Sequence, residues 1–129
     1  MGWFLPGEQN PGLRDLLDAV TMSGATVPPL WKLEVGNALL FAERRQRVTP
    51  TQRGEALNQL ARLPILTDSD TATHAWLSTF SLAQRFSLTL YDACYLELAQ
   101  RRGLPLATLD RDLRAAGSTL GIKLLGLDA

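Results

Sequence analysis

The apolar positions of the chain follow two spacings, one typical of helices and one typical of short buried strands. Segments with apolar residues three and four positions apart are predicted helices: 10–24, 30–45, 49–61, 68–83, 89–102 and 110–120. The strand candidates between them are Ala25–Val27, Pro64–Thr67, Leu106–Leu109 and Ile122–Leu125. Short strands that alternate with helices predict an α/β domain with a mainly parallel sheet covered by helices on both faces.

Local capping signals define several helix limits. Thr49 and Gln52 form a capping box around a proline in the first turn, and Thr89 begins a similar start three residues before Asp92. Gly103 stands where a helix is expected to end. In the fourth helix, capped by the cluster 68–70, we expect the apolar residues to supply core contacts: Ala72, Ala75, Trp76, Leu77, Phe80 and Ala83.

Composition indicates one globular domain spanning 1–129. The chain is 46% hydrophobic and 20% charged, with a net charge of zero, so any nucleic acid must be held by local arginine clusters. The single cysteine, Cys94, excludes a disulfide framework and suggests a small buried side chain in a reducing cytoplasm. No apolar run reaches the roughly 20 residues of a membrane span, so we expect a cytosolic protein with no membrane partner.

Three carboxylates are the candidate chemistry. Placed at 100° per residue, Glu34 falls on the same side of its helix as Trp31 and Phe41, so we expect it to face inward. Asp92 begins a helix and Asp110 follows a strand, and parallel strands bring their carboxyl ends to a shared crevice. Clustered carboxylates without His or Cys ligands favour Mg²⁺ or Mn²⁺, which can orient water for phosphodiester hydrolysis.

Each acid also has a structural explanation. Asp92 could complete the capping box of Thr89, and Asp110 could be the N-cap of the last helix. Glu34 is harder to explain in this way, although Arg45 or a more distant arginine could be its partner.

Several other polar residues have a weaker claim. Asp112 could be a peripheral ligand or a first-turn acid, and Thr108 could hydrogen-bond a carboxylate or favour the strand. His74, for which we expect no carboxylate or second histidine nearby, has little claim to catalysis. Five arginines near helix ends are expected to stay solvated or to hold phosphates: Arg44, Arg45, Arg47, Arg101 and Arg102.

Three segments resemble the PIN-domain ribonucleases, especially the VapC-type toxins of toxin–antitoxin pairs. These segments are VPPLWKLEVGNALLFAERR, LTLYDACYLELAQRRGLPLATLD and GIKLL. The resemblance covers nearly the whole chain. It implies a small PIN-like three-layer α/β domain that binds Mg²⁺ or Mn²⁺ and cuts RNA by water attack.

The resemblance also implies roles for individual residues. Glu34 matches the acid of the L-E-V-x-N-A-L segment, Asp92 that of Y-D-A and Asp110 that of T-L-D, so these three are the expected catalytic metal ligands. Asn37 matches a supporting polar position, and Asp112 a further peripheral acid. A toxin of this kind implies an RNA substrate, a cognate antitoxin protein and a homodimer.

The chain departs from the family pattern at its amino end. Family members begin with an apolar strand that ends in an aspartate, whereas this sequence begins at Met1 inside the helix that follows. By resemblance, the missing first aspartate would impair nuclease activity, and we expect a true start upstream rather than a decayed copy without activity. Two alternatives stay open: a non-catalytic PIN-like interaction module, and a metal-dependent phosphohydrolase acting on a small phosphoester.

Overall fold

The helices and strands alternate as the sequence predicts. A computed structural model describes residues 20–125, and predictions that concern residues 1–19 or 126–129, including the start of the first helix, lie outside it. The elements are β1 Ala25–Val27, α1 Trp31–Arg44, α2 Pro50–Ala61, β2 Ile65–Thr67, α3 Thr71–His74, α4 Ser78–Phe86, α5 Leu90–Arg102, β3 Leu106–Ala107, α6 Arg111–Thr119 and β4 Leu124–Leu125. A helical turn at 20–23 precedes β1.

The strands form two parallel pairs within residues 20–125. β1 pairs with β2, with Ala25 opposite Ile65, and β3 pairs with β4, with Leu106 opposite Leu124. The expected α/β class with parallel strands is confirmed. β3 and β4 are shorter than the apolar runs predicted, since each contains only two residues with ladder pairing.

Capping fixes the helix limits that local sequence predicted. The Thr49 hydroxyl accepts a hydrogen bond from the Gln52 amide at 3.1 Å, and the Gln52 side chain accepts one from the Thr49 amide at 2.9 Å. This reciprocal pair satisfies two amides that a helix start leaves free. At the end of α5, Gly103 adopts a left-handed φ of +63°, which a residue without Cβ tolerates best.

The core consists of two large apolar clusters. The first joins β1, α1 and α2 through Trp31, Val35, Leu39 and Leu60. The second is formed by Leu82, Leu96, Ala99, Leu106, Leu113 and Ala116, which come from α4, α5, β3 and α6. Half-buried Tyr95 packs against both clusters. This position makes α5 the central helix of the molecule.

Two predicted core surfaces are wrong. On α1, Phe41 is 49% exposed because the buried face is centred on Trp31, Val35, Leu39 and Ala42. The buried face lies to one side of Glu34, so the acid is half-buried at the margin of the core.

The fourth predicted helix is divided into α3 and α4. Because α4 begins anew at Ser78, its buried face carries Thr79, Leu82 and Ala83. Trp76, at 87% exposure, and the neighbouring Leu77 and Phe80 face solvent instead of the core. The strand predicted at 64–67 is likewise not fully buried. β2 is paired on one side only within the described chain, and Leu66 is 67% exposed.

Candidate active site

Glu34 and α5 meet through a tyrosine. Glu34 lies in the first turn of α1, and its Oε1 accepts a hydrogen bond from the phenol of Tyr95, 61 positions later in the sequence. The alternative explanation, an ion pair with Arg45, is not seen: a neutral donor on α5 holds the carboxylate. The bond orients one oxygen of Glu34 and leaves Oε2 outside it.

Asp92 lies one helical turn before Tyr95 on α5, on the same face. Its amide donates to the Thr89 hydroxyl at 3.1 Å, which is half of a capping box. Within residues 20–125 the Asp92 carboxylate accepts no hydrogen bond, so the structural explanation for this acid does not use its oxygens.

Glu34 and Asp92 both affect the pKa of the Tyr95 phenol. The pKa of the Tyr95 phenol is raised well above its usual range, first by burial, then by the hydrogen bond and charge of Glu34, with a further contribution from Asp92. Burial also raises the pKa of the Cys94 thiol, to which Glu97 and Glu34 contribute. Cys94 is buried, as predicted. Two carboxylates that act on one phenol form a locally negative site between α1 and α5.

Asp110 follows β3 and caps α6. Its Oδ1 accepts the Leu113 amide at 2.9 Å, so the N-cap explanation holds for this oxygen, while Oδ2 lies outside that bond. Buried Thr108 accepts the Asp110 amide at 3.0 Å, and it therefore positions the backbone of Asp110 and not a carboxylate. Arg114 donates to the carbonyls of Thr108 and Leu125 at 2.8 and 2.9 Å, which ties the ends of β3 and β4 together.

The supporting residues proposed from the family pattern are on the surface. Asn37 is exposed on α1, and Asp112 is exposed in the first turn of α6. The described chain places no hydrogen bond between Asn37 and Glu34.

A second acidic pair, Asp68 and Glu97, was missed by sequence reasoning. Both are only 2% exposed. Arg101 donates to Asp68 Oδ2 at 2.7 Å and to Glu97 Oε1 at 2.7 Å, and the Thr71 hydroxyl donates to Asp68 at 2.6 Å. The Arg101 guanidinium lowers the pKa of Asp68 to about 2, and Glu97 and then Asp68 raise the pKa of Arg101. The i, i+4 spacing of Glu97 and Arg101 was the one available sequence signal.

This network corrects two predictions. Arg101 is not a solvated helix-end residue, because its side chain bridges two buried carboxylates and is 21% exposed. His74 does have a carboxylate nearby: its Nδ1 lies 3.8 Å from Glu97 Oε1. Arg102, at 3.8 Å from Asp68 and 45% exposed, stays closer to the solvated role.

The described acids therefore fall into two groups. Asp68, Glu97 and Glu43 have basic partners, whereas the other described acids have no ion pair within residues 20–125: Glu34, Glu55, Asp70, Asp92, Asp110 and Asp112. The same range contains no group of three or more His, Cys, Asp or Glu residues close enough together to hold a metal ion. The carboxylate oxygens of the unpaired acids are nevertheless the donor type that hard divalent cations prefer.

Comparison with known proteins shows which family the chain belongs to. The sequence profile of the PIN domain matches residues 3–118. The chain belongs to the PIN-domain family. It is 34% identical over 102 residues to ribonuclease VapC1 from two Mycobacterium tuberculosis strains, CDC 1551 / Oshkosh and ATCC 25618 / H37Rv, covering 78% of this chain and 74% of each relative.

The fold also agrees with that of a solved structure. The crystal structure of PAE2754 from Pyrobaculum aerophilum superposes with a TM-score of 0.62 at 29% identity, covering 81% of this chain and 77% of that one. The expected PIN-like α/β domain and the VapC-type resemblance are both confirmed. No helix within residues 20–125 is long and apolar enough to cross a membrane.

Proposed function

We propose that this PIN-domain protein is a divalent-metal-dependent endoribonuclease, the toxin of a cytoplasmic toxin–antitoxin pair. The proposal rests on its similarity to ribonuclease VapC1 and on one structural observation: Glu34 contacts Tyr95, Asp92 lies one turn away on α5, and neither acid has a basic partner within residues 20–125. Carboxylates left unneutralised beside a half-buried phenol repel one another, and a bound cation relieves that repulsion.

The proposed ligands are Glu34, Asp92 and Asp110, with Asp112 peripheral and with Mg²⁺ or Mn²⁺ as the ion. Such an ion supplies a polarised water and stabilises the charge that develops on a phosphodiester. Two of these carboxylates are held by one oxygen each, Glu34 by the Tyr95 phenol and Asp110 by the Leu113 amide. Their second oxygens are thereby oriented and, among the described residues, available for ligation.

The chain's own residues also limit what the site can bind. Tyr95 keeps its proton because its pKa is raised, so it holds Glu34 as a donor and does not act as a base. The overall net charge is zero, so phosphate contacts depend on local cations such as exposed Arg111, which precedes Asp112 on α6. We further propose an RNA substrate, an antitoxin protein as partner, and a homodimer.

Substituting one unpaired acid tests the catalytic assignment. Asp92→Asn keeps the shape and the Thr89 bond to the backbone amide but removes the charge, and we expect RNA cleavage in Mg²⁺ to fall by at least about 100-fold. Asp70→Asn is the matched control, since exposed Asp70 makes no side-chain cap bond and lies outside the site. Cleavage should be measured in the 129-residue chain and in an N-terminally extended form. Equal cleavage by the active parent and Asp92→Asn would exclude the assignment.

A metal titration separates the nuclease from a non-catalytic module. At 100 times its Kd, an ion bound only by the folded state adds about 2.7 kcal/mol, which raises the melting temperature by roughly 10 °C for a chain of this size. We expect this rise with Mn²⁺ in the parent and in Asp70→Asn, and its loss in Asp92→Asn. A parent with neither the rise nor RNA cleavage would favour the interaction module. Cleavage of model phosphate esters without cleavage of RNA would favour the phosphohydrolase.

A further inference from the structure

An exposed aromatic side chain and three arginines lie together at the end of α1. Phe41 is 49% exposed and belongs to neither of the two large apolar clusters. The Arg44 guanidinium lies over its ring, 5.7 Å from the centroid, where the negative face of the ring attracts a cation. Exposed Arg45 and Arg47 follow in the sequence. This surface, Phe41 with Arg44, Arg45 and Arg47, is called the α1 patch below.

The α1 patch concentrates positive charge on a chain whose net charge is zero. Residues 41–53 contain four arginines and one acid. The acid, Glu43, is already paired, because Arg53 donates a hydrogen bond to its Oε1. The three arginines of the patch form no ion pair with any residue between 20 and 125. Such a local excess of cations attracts an anionic partner even though the whole molecule has no net attraction for one.

The backbone at the end of α1 holds the arginines in a defined turn. The Arg47 amide donates to the Ala42 carbonyl at 2.8 Å, and the Gln46 amide donates to the Glu43 carbonyl at 2.9 Å, which is the bond pattern of a Schellman motif. Gln46 takes the left-handed position of this motif, with a φ of +59°. Because the turn is already ordered, little backbone freedom is lost when a ligand contacts the arginines on it.

The α1 patch continues the side of the helix that carries Glu34. At ~100° per residue, Phe41 and Arg45 each lie within ~20° of the direction of Glu34. At ~1.5 Å per residue, Phe41 is ~10 Å and Arg45 ~16 Å along the helix from Glu34. Ala38, which lies between Glu34 and Phe41 on this side, is small and half-buried. A ligand held at Glu34 can therefore extend along α1 to the patch.

We propose that the α1 patch binds a single-stranded RNA segment next to the bond that is cleaved, with one base stacked on Phe41 and nearby phosphates held by the arginines. This inference rests on the proposed function, which places an RNA strand at Glu34 and so favours RNA over an acidic peptide. Aromatic rings beside cations form sequence-tolerant sites for single strands. A base that is stacked inside a duplex cannot reach such a ring, so the patch selects unpaired RNA.

Binding of a fluorescent oligoadenylate RNA of about 12 nucleotides to the 129-residue chain tests the proposal. Fluorescence anisotropy is measured in EDTA over a range of salt concentrations, so that binding is observed without metal-dependent cleavage. Each phosphate contact on a single strand contributes about 0.7 to the slope of log K against log salt concentration, and we expect Arg45→Gln to reduce the slope by about this amount. Arg85→Gln is the matched control, because Arg85 is also an exposed arginine at a helix end, on α4, and forms no ion pair within residues 20–125.

Removal of the aromatic ring tests the stacking contact separately. We expect Phe41→Ala to weaken oligoadenylate binding at least about 5-fold through lost stacking, with an unchanged salt slope because no charge is removed. Phe80→Ala is the matched control, since Phe80 is 45% exposed and lies on α4. The proposal is overturned if the parent does not bind the RNA, or if the substitutions on α1 and α4 have equal effects. Tighter binding of an oligoglutamate peptide than of the RNA, lost in Arg45→Gln, would instead assign the patch to an acidic protein partner.

Measurement of binding in EDTA and of cleavage in Mg²⁺ separates this inference from the proposed function. RNA cleavage by a chain whose RNA affinity is insensitive to the α1 substitutions would refute the role of the patch alone. RNA binding that depends on the patch, without RNA cleavage, would support the patch as an RNA site and refute the nuclease.

Discussion

Removing the Arg101 guanidinium should destabilise the fold more than removing any other single partly exposed charged group within residues 20–125. Arg101→Met keeps most of the apolar stem but leaves Asp68 and Glu97, each 2% exposed, without their shared cation. Lowering the pKa of Asp68 from 3.8 to about 2 corresponds to about 2 kcal/mol, at 1.36 kcal/mol per unit. Glu97 loses the same partner, and breaking buried pairs costs about 3–5 kcal/mol, so we expect a loss of about 3–5 kcal/mol.

Urea denaturation followed by circular dichroism at pH 7 measures this loss as a shift of the midpoint at constant m-value. Arg102→Met is the matched control. Arg102 is adjacent in sequence and carries the same group, but it approaches Asp68 only to 3.8 Å and is 45% exposed, so we expect less than about 1 kcal/mol. A loss below 1 kcal/mol for Arg101→Met, or equal losses for the two variants, would refute the reasoning.

The pH dependence gives an independent check on the same network. Because Arg101 depresses the pKa of Asp68, the stability that this carboxylate contributes is complete above about pH 4 and is lost as the pH falls toward 2. The parent should therefore lose unfolding free energy over this interval, and Arg101→Met should lose less. An identical acid dependence in both proteins would mean that Asp68 is not the titrating group.

Two further predictions concern Tyr95 and the helix glycines. Since the pKa of Tyr95 is raised, first by burial, one of the two tyrosines should ionise only when alkali unfolds the protein. Tyr95→Phe should remove that step from the absorbance titration and lower the free energy of unfolding by about 1–2 kcal/mol. A titration unchanged by the substitution would contradict this. Gly36 lies in open space on α1, so Gly36→Ala should raise the free energy of unfolding by about 0.5–1 kcal/mol. In Gly117→Ala the added Cβ would meet Leu124 Cδ2 at 2.9 Å, and this clash should cancel the gain. Thermal melts of the two variants measure the difference.

Sequence reasoning succeeded where the determining interactions are local. Two helix ends were predicted correctly: the capping box of Thr49 and Gln52 and the end of α5 at Gly103. Both depend on residues within one helical turn, so the local sequence is sufficient to predict them. The family pattern identified Glu34 and Asp92 as candidates, and they remain candidates. The hydrogen bond between Glu34 and Tyr95 could not be predicted from the sequence, because the two residues are 61 positions apart.

The errors share a physical cause. Asp68 and Arg101 are 33 positions apart, and only the tertiary fold brings the residue after β2 to the end of α5, so Arg101 was expected to stay solvated. Conversely, Trp76 is a large apolar residue but lies in the non-helical connection between α3 and α4, where it is exposed. Hydrophobicity indicates which residues could be buried, and the start of a new helix decides which of them are.

The position of Tyr95 between the two apolar clusters has a consequence for how the molecule folds. The clusters share this half-buried side chain, while their buried members belong to different elements. Each cluster can therefore order and melt as a separate cooperative unit, with α5 as the hinge between them. A single melting temperature then averages two transitions, whereas hydrogen exchange followed residue by residue separates them.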